Sequence, residues 1–170
     1  MTQLHGAVVL PDGTSVRGRG RRDPLPDGPL PEYTLCLGQP ARDAAPEWSA
    51  GWIVWPDFRV PRDRAQAVAA IVDAYERARS GVRVEVSCTG GTGRTGTVIA
   101  CMAVLAGHPA DDAVAWTRAH YRPRAVETPW QRRWVQAFPP SGVLPGRNGR
   151  PLGADGRPDG ADPTGRDRSR

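Results

Sequence analysis

Cys88 and Arg94 stand six positions apart in the run Val86-Ser87-Cys88-Thr89-Gly90-Gly91-Thr92-Gly93-Arg94-Thr95-Gly96. A thiol just before a helix N-terminus lies where loop amides and the helix dipole favour its thiolate, the nucleophilic form. An arginine six residues on can fold back over the loop and offer a planar two-donor fork to the oxygens of a phosphate. Nucleophile and oxyanion clamp then face one point, as attack on a tetrahedral anion requires. Thr89, Gly90, Gly91, Thr92 and Gly93 lie between them, and a loop of this kind lets successive backbone N–H groups converge on the same anion. Thr95 adds a hydroxyl near the sulfur, placed to stabilise a departing thiolate.

Two other anion-binding loops compete for this run. The nucleotide-triphosphate loop G-x-x-x-x-G-K-[ST] would put its first glycine at Cys88 and its lysine at Arg94, so two of four fixed positions fail. The dinucleotide pattern G-x-G-x-x-G is present at Gly91, Gly93 and Gly96. It calls for a further strand ending in an acid about 20 residues on, whereas here the pattern runs helix, Pro109, helix. The cysteine–arginine pair fits best.

Attack on a phosphate ester also needs an acid for the leaving oxygen, and Trp55-Pro56-Asp57-Phe58-Arg59-Val60-Pro61 supplies a carboxyl at Asp57. This segment resembles the movable acid loop of protein-tyrosine phosphatases: W-P-D, an aromatic, a variable residue, an apolar residue and proline. The 88–96 loop resembles the same family's H-C-x-x-G-x-x-R-[ST]-G signature, matching at Cys88, Gly91, Arg94, Thr95 and Gly96. The segment Arg122 to Gln131 is similar to the one that supplies the family's water-positioning glutamine, which makes Gln131 the candidate. Order and spacing agree as well, over about residues 30–138.

The resemblance implies a two-step reaction without metal or cofactor. Cys88 attacks phosphorus while Asp57 protonates the leaving oxygen; Gln131 then orients water while Asp57 acts as base. Arg94 and the amides of the 89–94 loop bind the phosphate oxygens. A phosphorylated protein, phosphotyrosine first, is the implied substrate, and compact bacterial and dual-specificity members are nearest in length. One position departs from the pattern. Ser87 stands where the family has histidine, which weakens support of the loop, and a phosphopeptide-binding relative without turnover is the alternative reading.

All 23 basic residues are arginines, which excludes Schiff-base chemistry and lysine grips on phosphate. The net charge of +5 favours anionic partners, but no basic helix or aromatic–basic sheet motif points to nucleic acid. His5, His108 and His120 are scattered and suggest no metal site. No apolar run reaches the length of a membrane span, no leader pattern precedes Leu10, and three cysteines do not make a disulfide framework. The expected compartment is the cytoplasm. The sequence carries no signal for oligomeric state.

The elements that must hold these residues follow from pattern. Gly6 to Leu10, the turn Pro11-Asp12-Gly13 and a basic, glycine-broken stretch from Arg17 to Arg22 read as a hairpin running into a solvated loop. Tyr33–Leu37, Gly51–Trp55 and Val82–Val86 read as strands. Asp63–Arg79 has helical apolar spacing, a second helix opens near Arg94, a third has Pro109 at its head, and a fourth is capped by Thr128. Cys36 and Cys101 read as core, and Trp52, Trp116, Trp130 and Trp134 as packing residues. The expectation is an α/β fold, a central sheet flanked by helices, over residues 1–140. Residues 141–170, rich in Gly, Pro, Arg and Asp, are expected to stay disordered.

Overall fold

The computed structural model describes residues 3–140; the 141–170 segment lies outside them. In chain order the elements are β1 (Ala7–Val9), β2 (Ser15–Gly20), β3 (Tyr33–Gly38), β4 (Ser49–Val54), α1 (Arg64–Arg79), β5 (Val84–Cys88), α2 (Gly93–Leu105), α3 (Ala113–His120) and α4 (Pro129–Gln136). The strands form one sheet in the order β1-β2-β5-β3-β4. Only the β1–β2 pair is antiparallel; β2–β5, β5–β3 and β3–β4 are parallel. This is the α/β architecture expected, with the Cys88 strand at its centre.

The two faces of the sheet differ in chemistry. Val16, Leu35, Leu37, Ile53, Val84, Val86 and Cys88 join one apolar core with Ile71, Ala74 and Tyr75 of α1 and Val98, Met102 and Leu105 of α2. On the opposite face strand alternation puts Arg17, Arg19, Thr34, Cys36, Glu85 and Ser87. There Arg17 donates to Glu85 at 2.8 Å and Arg19 at 3.0 Å, with the carboxylate completely buried. Cys36 lies opposite Ser87 in the β3–β5 register, so its thiol is on the face away from Cys88. Burial pushes the Cys36 thiol above its usual range and Cys101, wholly enclosed in α2, further still.

Three expectations need correction. The glycine-broken basic stretch is not a solvated loop: through Gly20 it is β2, paired along its length with β5. Its arginines face a buried carboxylate, and a side chain on Gly18 or Gly20 would collide with Tyr121 or Gly90. The strand before the cysteine starts at Val84 rather than Val82. Gly81 at φ +93 donates to Ala78 and Val82 to Arg77, so these residues still belong to the helix stop. The third helix begins at Ala113, because the Pro109 carbonyl is taken in a single turn by the amide of Asp112.

The acid loop leaves the carboxyl end of β4, the cysteine loop that of β5, and both meet above the same edge of the sheet. Among the described residues no helix is long and apolar enough to cross a membrane.

Candidate active site

The Cys88 loop is built by tying its carbonyls outward. Arg21 N–H donates to the Cys88 carbonyl at 2.8 Å and Arg22 N–H to that of Thr89 at 3.4 Å. Arg122 Nη1 donates to the Gly90 carbonyl at 3.0 Å, and the Tyr121 hydroxyl to that of Gly91. Across a trans peptide the next N–H points the opposite way. Four consecutive amides, those of Thr89, Gly90, Gly91 and Thr92, therefore turn to the inside of the loop. One of them already has a partner: Gly91 N–H donates to Cys88 Sγ at 3.1 Å. Such a nest at the start of α2 selects an anion, and the helix dipole adds to it. Burial raises the Tyr121 phenol far above its ordinary range, which keeps it a donor.

Gly91 makes the turn possible. It adopts φ +67, and a Cβ there would run into the backbone of Arg19 and Gly20. Gly91→Ala is expected to destabilise the protein by about 2 kcal/mol, from the left-handed backbone alone and before any clash. Urea titration reads this directly, and a loss under about 0.5 kcal/mol would show that the loop is not seated against β2.

Arg94, in the first turn of α2, is 5% exposed. Its Nη1 donates to the Trp55 carbonyl at 3.0 Å and its Nη2 to Thr89 Oγ1 at 3.2 Å, while Nε has no hydrogen-bond partner among the described residues. The Thr95 hydroxyl is buried and likewise unpartnered. Asp57 reaches in from the acid loop, with Oδ1 3.2 Å from Arg94 Nη2. At 58% side-chain exposure it meets solvent as well as the site. The structure thus brings Arg94 and Asp57 together at Thr89, the residue that follows Cys88, with Thr95 next to Arg94 in the first turn of α2.

Gln131 stands a step behind. It is completely buried, its Oε1 accepting from the N–H groups of Glu127 and Thr128 in a capping box and its Nε2 donating to the Arg59 carbonyl at 3.2 Å. Trp55 Nε1 donates to the same carbonyl at 2.7 Å, and Trp130 Nε1 to the neighbouring Phe58 carbonyl. The acid loop is thereby latched to α4 and to Trp55 at its own start. Trp130 is not an interior packing residue: it is 47% exposed beside Phe58, itself 55% exposed. Ser87, in the place of the family's histidine, is buried on the back face with its hydroxyl 4.0 Å from Cys36 Sγ.

Sequence reasoning missed the outer ring of the site. Arg21, Arg22, Tyr121 and Arg122 hold the loop carbonyls, and Asp23 pairs with Arg122 at 3.1 Å. The usable signal was the period-two spacing of Arg17, Arg19 and Arg21, a strand alternation interrupted by glycines.

Comparison with known proteins agrees with this geometry. The family described as Swiss Army Knife protein, DSP-PTPase phosphatase domain, matches residues 56–137, a span that begins at the acid loop and includes Cys88, Arg94 and Gln131. The crystal structure of Tk-PTP in its active form superposes with a TM-score of 0.61 at 22% identity, covering 80% of this chain and 97% of that one. A glycine-to-alanine mutant form of Tk-PTP superposes with a TM-score of 0.56 at 24% identity, covering 64% and 76%. These likenesses establish a shared fold, and the family match spans the segments that hold Asp57, Cys88 and Arg94. Over residues 56–137 the family match, together with the shared fold, supports the cysteine-dependent superfamily of protein-tyrosine and dual-specificity phosphatases.

Proposed function

We propose that this chain hydrolyses phosphate monoesters on proteins through a cysteinyl-phosphate, with phosphotyrosine preferred. The observation that carries the reading is one loop in which the Gly91 N–H meets the Cys88 sulfur, the carbonyls of residues 88–91 are held by groups outside the loop, and Arg94, its Nε unpartnered among the described residues, pairs through Nη2 with Asp57. In the first step the thiolate forms the S–P bond, the P–O bond to the leaving group breaks, and Asp57 gives that oxygen its proton. In the second, water forms a new P–O bond and passes its proton to Asp57, the S–P bond breaks, and the thiolate returns. Arg94 Nε and Nη2 hold two phosphate oxygens throughout, so Asp57 must give up its contact with Nη2 as phosphate arrives. Thr95 donates to the returning thiolate. Gln131 is the candidate to orient the water, a role it can take once its Nε2 and the Arg59 carbonyl part. Phe58 and Trp130 offer an apolar flank beside the acid that suits an aromatic leaving group.

The test is hydrolysis of p-nitrophenyl phosphate and of matched phosphotyrosine and phosphoserine peptides. Vanadate-sensitive turnover with at least a hundredfold preference for phosphotyrosine is expected. Phosphopeptide binding without turnover in the unaltered protein would overturn the enzymatic reading.

Asp57→Asn probes the acid. General acid–base groups are worth about 10²–10⁴-fold, so kcat should fall within that range, more for alkyl than for aryl esters. KM should hold or drop, since the substitution removes the carboxylate that competes with phosphate for Arg94. An unchanged kcat would take Asp57 out of the mechanism.

A further inference from the structure

Arg94 is not the only guanidinium at the floor of the loop. Arg21 lies just beyond the end of β2, and its Nη1 reaches the Leu37 carbonyl at 3.4 Å, the group that Arg94 Nη1 approaches at 3.5 Å. Its Nη2 reaches Thr89 Oγ1 at 3.4 Å, the atom to which Arg94 Nη2 donates at 3.2 Å. The two arginines therefore share the same two acceptors, side by side. Arg21 also approaches the Ser87 carbonyl at 3.5 Å, and its backbone N–H holds the Cys88 carbonyl.

Two like charges so close repel, and each is offset by one carboxylate. Those carboxylates differ in how they are held. Asp43 pairs with Arg21 at 2.9 Å and is anchored by the Gln39 amide at 2.8 Å. Asp57 sits on the exposed acid loop. When a phosphate displaces Asp57, Asp43 is the remaining carboxylate paired with the two guanidiniums, and the incoming dianion offsets the rest of their positive charge. The resemblance would place a histidine at 87, beside the nucleophile; this chain has a serine turned to the back face.

We propose that Arg21 is the second arginine of the phosphate site, a positioning residue that shares the acceptors of Arg94 and adds its charge to the loop's hold on a phosphate dianion. The inference rests on the reading of the loop as a phosphate site.

The experiment measures protection of Cys88 from iodoacetamide by inorganic phosphate in the full chain, read by mass spectrometry of the Cys88 peptide, and so needs no turnover. Wild type should be protected. Arg21→Gln should raise the half-protecting phosphate concentration about tenfold, and Arg21→Lys, which keeps the charge, less than threefold. Asp43→Asn leaves Arg21 unopposed and should lower that concentration about threefold, a gain that a purely structural role for the pair would not produce. Equal protection in Arg21→Gln and wild type overturns the proposal. So does weakened or unchanged protection in Asp43→Asn, which also decides the matter if Arg21→Gln does not fold. Absence of protection in wild type removes the phosphate-site reading itself and this inference with it.

Discussion

Cys88→Ser should abolish hydrolysis, with kcat falling by 10⁴-fold or more, while phosphate still binds. Oxygen for sulfur is a near-isosteric change at a site only 2% exposed, and the Gly91 N–H can donate to a hydroxyl as it does to the thiol. The outward ties on the Cys88, Thr89, Gly90 and Gly91 carbonyls do not involve the side chain, so the anion nest survives. What is lost is the nucleophile, because a serine hydroxyl is not ionised near neutral pH and, among the described residues, no side-chain base is hydrogen-bonded to this position to take its proton. Loss of a covalent nucleophile typically costs on the order of 10⁶-fold in kcat. Two measurements check this: steady-state hydrolysis of p-nitrophenyl phosphate, and a search for a phosphate adduct on the Cys88 peptide of wild type quenched during turnover. A variant retaining more than about a hundredth of the wild-type rate would mean that another group performs the attack.

Glu85→Ala should cost about 3–5 kcal/mol of stability, the usual effect of removing one partner from a buried ion pair. Against a total of about 5–15 kcal/mol for a domain of this kind, that is a large share. The carboxylate is inaccessible and serves two cations: Arg17 is 2% exposed and Arg19 13%. Without it both guanidiniums stay enclosed with no counter-charge, and Arg17 Nη1 already has no hydrogen-bond partner among the described residues. The damage should reach the site through the ladder. The register that sets Arg17 against Glu85 also sets Gly20 against Cys88, three residues along. Urea unfolding with and without inorganic phosphate separates the two consequences. A shift smaller than about 1 kcal/mol would show that the triad contributes little, whereas replacing all three charges with apolar residues should recover much of the loss.

The parts of the site legible in the sequence are those whose partners lie within a few residues. The strand–loop–helix run carrying Cys88 and Arg94, the acid loop with Asp57, and the Thr128 cap are local signals. The same is true of the helix from Asp63 to Arg79, where Asp63 accepts from the Gln66 amide three positions on. The errors sit where a local reading competes with a distant partner. Gly18 and Gly20 look like strand breakers until Tyr121 and Gly90 pack against them. Nor does anything local to Gln131 show that its amide Nε2 is held by the Arg59 carbonyl, 72 positions away.

By itself the sequence determined the chemistry available here: one thiol, one arginine and one carboxyl in an order and spacing that suit phosphoryl transfer, on elements set by periodicity and capping. Tertiary structure decided what holds them. Arg122 reaches Asp23 across 99 positions, Arg21 reaches Thr89 across 68, and Arg17 reaches Glu85 across 68. The reason is that a parallel sheet joins strands distant in the chain. Side-chain alternation tells which face a residue takes but carries no information about which strand lies beside it.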